Sequence, residues 1–206
     1  MKPEASDPHR LFLVVLGGLT RKTHVEQHDV RWVVGRSIED TFPQLCNEWF
    51  GCQSGLHIDS FLEVKFIDGY EVKVKEKKKQ EDKKSLQTSI ENNTNNLQLW
   101  FVNIGKYAPD KLFEQHQCGL FVAETKYEAK NKAKNSILNR SKTLLNSHSV
   151  SLNGQKEHVD NCYSISKTCD WVIELKSDQM KRSQELIPDW YGYRLIANII
   201  QGEINL

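Results

Sequence analysis

Apolar residues gather along the chain in short runs separated by polar stretches. "LFLVVL" from Leu11 is continuous and predicts a buried strand, and "VRWVV" from Val30 predicts a second, with "GGLTRKTHVEQHD" as the loop between them. From Ser37 the spacing changes to a helical one, placing Ile38, Phe42, Leu45 and Trp49 on a single face. Pro43 lies early in that helix, so it either kinks it or moves the true start toward Thr41. "FLEVKFIDGYEVKV" reads as a hairpin turning at Asp68-Gly69. Farther on, "GLFVA" predicts a strand, an Ala/Lys-rich run from Glu128 a helix, and "DWVIEL" another strand. The tail "IPDWYGYRLI" is too aromatic for a disordered end and is expected to pack back onto the body.

The pattern repeats. Sliding the chain so that Leu11 falls on Leu99 also brings Val14 onto Val102, Leu16 onto Ile104 and Gly17 onto Gly105 without a gap. In the same register Glu26, Gln27 and His28 fall on Glu114, Gln115 and His116. Ser37-x-x-Asp40 falls on Thr125-x-x-Glu128, both shaped like a helix capping box. After an insertion, "HIDSFLEV" from His57 matches "HVDNCYSI" from His158. Ordered matches through strand, loop and cap predict an α+β protein: a tandem duplication of a β-β-α-β(β) unit forming a pseudo-two-fold pair. The expected boundaries are 1–74 for the first unit, 75–98 for a linker, 99–175 for the second unit and 176–206 for the tail. The linker assignment rests on its Lys-rich, then Ser/Thr/Asn-rich composition, which has too little apolar surface to offset the entropy of ordering. Each unit alone is small, so pairing is expected to supply a shared core.

Composition narrows the function classes. A net charge of +1 on 206 residues gives no field that draws the chain to nucleic acid or an anionic membrane. The lysines of 73–84 are interleaved with acids and lack aromatic partners, so they make a poor nucleic-acid patch. The apolar run from Leu11 is too short to span a bilayer, and the expected setting is the cytoplasm. Five cysteines (Cys46, Cys52, Cys118, Cys162 and Cys169) form no Cys-x-x-Cys pair, which argues against a zinc ribbon and for reduced thiols. Cys118 and Cys162 read as small apolar groups.

Candidate chemistry lies in the repeated polar steps. In a β-β-α-β unit the Glu-x-His loop and the His-x-Asp loop fall at the same end. Glu26, His28, His57 and Asp59 can therefore meet in the first unit, and Glu114, His116, His158 and Asp160 in the second. Two imidazoles and two carboxylates suit a divalent metal or acid/base work. The competing reading is structural: short polar residues beside a strand satisfy loose backbone groups, and a copied loop keeps them. Gly17 and Gly18 follow the first strand, where they either let a ligand approach the backbone or serve a tight strand exit. Asp29 becomes Gln117 and Gly18 becomes Lys106, so the copies are not equivalent. No nucleophile elbow, phosphate loop or kinase signature is present in the sequence.

"VVLGG", "EQHDVRWVVGRSIEDTFPQL", "EWFG", "GLHIDS", "FVNIGKY", "EQHQCGLFVA" and "PDWYGYRLI" resemble the bacterial DUF1543 family, a domain of unknown function. The resemblance spans most of the chain outside the linker and implies one or two copies of a domain, in agreement with the internal repeat. It implies no activity. Lys106 and the long stretch from Asn139 depart from the expected pattern and weigh against a site in the second copy. The sequence favours a non-enzymatic binding or interaction module, with a protein partner or self-association in view and no cofactor identified. The alternative is a metal-assisted, hydrolase-like enzyme that uses a divalent ion at the Glu-x-His and His-x-Asp loops.

Overall fold

The first strand, β1 (Arg10–Gly18), has apolar side chains on both faces because both faces are covered. Phe12, Val14 and Leu16 point to one side, and Leu11 and Leu13 to the other. The chain is described by a computed structural model over residues 8–77, 96–145, 156–168, 170–178, 180 and 183–196. β2 (Gln27–Gly35) returns antiparallel to β1, with Gly17 opposite His28 and Leu13 opposite Trp32. A 3-10 turn (Glu39–Thr41) leads into α1 (Phe42–Glu48), and β3 (His57–Glu63) pairs with the other edge of β1. Pro43 sits in the first turn of α1 with Thr41 as its N-cap, where a missing N–H is harmless. Ser37 and Asp40 bond reciprocally, Ser37 Oγ accepting from the Asp40 N–H and Asp40 Oδ2 from the Ser37 N–H, as the capping-box reading expects. They close the 3-10 turn, and the α-helix begins later than Ser37.

After β3 come β4 (Phe66–Ile67) and β5 (Tyr70–Glu76), which turn at Asp68-Gly69 with φ of 50° and 81°, the pair of positive values a two-residue hairpin requires. The later half has the same order of elements. β6 (Gln98–Tyr107) pairs with β7 (Gln115–Ala123) and with β8 (Lys156–Ser164), and α2 (Lys126–Leu145) lies between β7 and β8. The Thr125 hydroxyl accepts from the Glu128 N–H at the start of α2, so the helix begins ahead of Glu128. β9 (Lys167–Thr168), β10 (Trp171–Ser177) and β11 (Trp190–Leu195) complete the chain.

These eleven described strands form three antiparallel sheets, in the orders β11-β3-β1-β2, β4-β5-β10-β9 and β7-β6-β8. With two α-helices the fold is α+β. Two sequence expectations are corrected here. The last strand of each expected unit does not stay with its own three: β5 leaves for a separate sheet and pairs with β10 along its full length. The second strand of the later half is also longer than "GLFVA", because β7 starts at Gln115. Polar residues are tolerated there because β2 and β7 are edge strands.

Three apolar clusters hold these layers. α1 covers the first sheet through Phe42, Leu45 and Trp49 on Val14, Leu16 and Ile58. α2 covers the third sheet through Ala129 and Ala133 on Trp100, Val102 and Ile104, small residues that let helix and sheet approach closely. Between them, Leu11, Leu99, Phe101, Val122 and Ile173 form a core drawn from all three sheets. No described helix is long and apolar enough to cross a membrane. The expected linker, 75–98, lies mostly outside the described residues, apart from its ends in β5 and β6.

Candidate metal centres

Each outer sheet carries the same row across three strands. In the first, Gly17 on β1 faces His28 on β2 and His57 on β3. In the third sheet, Gly105 on β6 faces His116 on β7 and His158 on β8. The register then slips by one residue in both. Leu16 pairs with Ile58 but Val15 with Ser60, so Asp59 is the extra residue of a bulge. Ile104 pairs with Val159 and Asn103 with Asn161, which makes Asp160 the extra residue of the other. A bulge re-aims the side chain it carries, and here it swings each aspartate back toward the histidine two positions before it.

The four polar residues of each half therefore meet, as the spacing predicts. The sequence assigns them to loops, and this is corrected: His28, His116, His57, Asp59, His158 and Asp160 all lie inside strands, with Glu26 and Glu114 just ahead of β2 and β7. In the first cluster His57 Nε2 is 3.1 Å from Glu26 Oε1 and 3.2 Å from Asp59 Oδ1. His28 Nε2 is 3.2 Å from Asp59 Oδ2 and 4.0 Å from Glu26 Oε2. In the second, His158 Nε2 is 2.5 Å from Asp160 Oδ1 and 3.4 Å from Glu114 Oε1. His116 Nδ1 is 3.2 Å from Asp160 Oδ2.

Local folding sets these directions. The Gly55 carbonyl, 2.8 Å away, can only accept, so His57 Nδ1 carries the proton of that bond and Nε2 is left facing the carboxylates. A neutral ring so placed presents a lone pair to two anionic oxygens. A cation between them, whether a proton on Nε2 or a metal ion, removes the conflict. Glu114 Oε1 is buried and has no hydrogen-bond partner. Ligand atoms of Glu114, His158 and Asp160 all lie within 4.8 Å of one another.

Gly17 belongs to this arrangement, since a Cβ there would lie 2.5 Å from His57 Nε2. Gly18 does not: a Cβ there would meet Trp49, on the α1 side. Lys106, which stands where the first half has Gly18, therefore replaces a residue outside the cluster, and Gly105, the counterpart of Gly17, is present. A Cβ on Gly105 would collide with Glu114 Oε1. His24 is exposed, and His148 lies outside the described residues. Cys162 is buried and Cys118 partly so, and burial pushes both thiols up.

The two centres differ in their cover. His57 has 1% of its side chain exposed, with Tyr193 of β11 stacked on it at 3.8 Å. His158 is 49% exposed, with the Tyr107 ring 5.7 Å away. The Tyr107 hydroxyl donates to Glu114 Oε2 at 3.0 Å, and this bond, together with the carboxylate's charge, holds the phenol above its usual range. Sequence reasoning missed both tyrosines and the two glycine-facing rows. The aromatic tail hinted at Tyr193, but nothing local assigned it to His57.

Residues 23–74 match the family described as Domain of Unknown Function (DUF1543). The match takes in Glu26, His28, His57 and Asp59 and ends before the second cluster. The DUF1543 resemblance read from the sequence thus stands over that stretch. Among solved structures, the crystal structure of a protein Il1583 from Idiomarina loihiensis is similar, with 26% identity and a TM-score of 0.64. The similarity covers 91% of this chain and 98% of that one. No curated protein matches the chain.

Proposed function

We propose that the chain is a divalent-metal-binding protein with two centres, one made by Glu26, His28, His57 and Asp59, the other by Glu114, His116, His158 and Asp160. The reading rests on a duplicated unit, 1–74 and 99–175, joined by 75–98 and followed by the tail from 176. The observation that carries it is Glu114 Oε1, a buried carboxylate oxygen that makes no hydrogen bond and has only the His158 ring beside it at 3.4 Å, converging with His158 and Asp160. Leaving a buried anionic oxygen unsatisfied is costly, and a cation at that point satisfies it. The His57 ring supports the same reading, because ligating histidines commonly anchor their other nitrogen on a backbone carbonyl.

Two imidazoles and two carboxylates neutralise a divalent ion, and with no thiolate in the set they suit zinc, manganese or ferrous iron. His28 and His116 are half-exposed, which leaves each ion an open side. An open side favours metal-assisted chemistry over a closed structural role, and an ion held there would supply Lewis-acid chemistry of the kind hydrolysis uses. Elemental analysis and calorimetry on untagged protein, stripped with chelator and titrated with zinc, manganese or cobalt, test the reading. We expect two ions per chain, one after His57→Ala or His158→Ala, and none after both. No stoichiometric uptake of any of the three metals would overturn it.

A further inference from the structure

The half-exposed histidines of the two clusters, His28 and His116, line one and the same cleft, of about 610 Å³. We propose that this cleft binds a small molecule that joins an aromatic ring to an anionic, metal-ligating head, with the head on the ion of the second centre. The inference rests on the metal reading above and names the ligand class of that site. The volume lies in the range that encloses a drug-sized ligand.

The ring is argued from the cleft wall. Trp32, Phe101 and Tyr163 line it, with the Trp32 ring 5.6 Å from Phe101 and 6.1 Å from Tyr163. Both pairs are tilted, and Tyr163 is half-exposed at the cleft, its hydroxyl accepting from the Asn161 amide at 3.2 Å. A planar ring fits that wall, since offset and tilted aromatic contacts are the favourable ones.

The head is argued from a difference between the halves. Where the first sheet pairs Val15 with Ser60, the third pairs Asn103 with Asn161, and both asparagines line the cleft. The Asn103 amide reaches Asp160 Oδ2 only at 3.4 Å and His116 Nδ1 at 3.3 Å, two long bonds at the margin of the second centre. Its donors are placed to read an oxygen bound to the ion there. An amide donor beside a divalent ion calls for an anionic oxygen head.

Benzohydroxamate and acetohydroxamate share a metal-ligating head and differ in the ring, so they are the probes. Calorimetry on the zinc-loaded full chain should give one benzohydroxamate per chain, bound on the order of tenfold tighter than acetohydroxamate. The preference should persist in His57→Ala, vanish in His158→Ala, and shrink in Tyr163→Leu with both ions still bound. Asn103→Val, which installs the residue of the first half, should weaken both hydroxamates alike. Two bound ions with equal hydroxamate affinities, or a ring preference unchanged in Tyr163→Leu, would overturn this inference and leave the metal reading standing. Failure to take up zinc at all would overturn both.

Discussion

Gly17 and His57 face each other across β1 and β3, and the imidazole fills the space a side chain on Gly17 would need. A Cβ there would lie 2.5 Å from Nε2, 2.9 Å from Cε1 and 3.1 Å from Asp59 Oδ2. The absent side chain is thus part of the centre. Gly17→Ala should displace the His57 ring, lower stability by about 1–3 kcal/mol through overpacking, and remove one of two bound ions. Gly18→Ala meets Trp49, so it should loosen the end of α1 and keep both ions. Thermal unfolding and metal counting on the two variants check this. Equal ion counts in both would detach Gly17 from the centre.

Asp68 has two tasks in the Asp68-Gly69 turn. Its φ of 50° is one that asparagine and aspartate tolerate better than most residues. Its carboxylate also accepts from the Val122 N–H at 2.9 Å, tying the first hairpin to the free edge of β7. Asp68→Ala should cost about 1–3 kcal/mol, since it strands a partly buried N–H and strains the turn. Asp68→Asn keeps an acceptor and the tolerance and should recover most of that. Urea unfolding of the two variants measures the difference, and equal losses would reduce Asp68 to its charge.

The parts of the molecule that were legible in the sequence are those written locally. The apolar run from Leu11, the cap signals at Ser37 and Thr125 and the Asp68-Gly69 turn each need only a few neighbours to be read. The convergence of Glu26, His28, His57 and Asp59 followed from strand direction alone. The bulges at Asp59 and Asp160 were not legible, because a register slip is a relation between two strands and leaves no mark on either. The departure of β5 to pair with β10 was hidden for a similar reason: alternation says that one face is buried, not against what. The strand character of Gln27–His28 was masked by polarity that an edge strand accepts.

Tyr107 offers an optical reading of the second centre. Its phenol is held above the usual range by its hydrogen bond to Glu114 and by the charge of that carboxylate. The sign is that of a neutral form favoured by a nearby anion, so the phenolate appears only at higher pH than for an ordinary tyrosine. An ion bound to Glu114 cancels that charge and should bring the titration down. Absorbance near the phenolate band, as a difference between wild type and Tyr107→Phe, should show a late titration in chelator-treated protein and an earlier one with zinc. Glu114→Gln should abolish the response. A titration that ignores zinc would remove Glu114 from the ligand set.

The C-terminal strand gives the two clusters unequal cover, and once metal is bound it should make them unequal in time as well. β11 lies on β3, with Leu195 opposite His57 and Tyr193 stacked on the imidazole. It is fastened by Asp189 to the Glu63 N–H at 2.7 Å, by Arg194 to Glu39 at 2.8 Å, and by Ile196, fully buried in the first core. No described strand pairs with the corresponding edge of β8. Both centres keep an open side, but release of an ion held by His57 needs that ring to swing away under Tyr193, whereas the half-exposed His158 ring is free to turn. A chromogenic chelator added to zinc-loaded protein should draw the metal out in two phases of equal amplitude. His158→Ala should remove the fast phase and His57→Ala the slow one. Tyr193→Ala gives up only a ring contact, about 0.5–1.5 kcal/mol, and should speed the slow phase toward the fast while both ions still bind at the outset. A single phase in the wild type, or a slow phase indifferent to Tyr193→Ala, would mean that β11 braces the first sheet without controlling release from its centre.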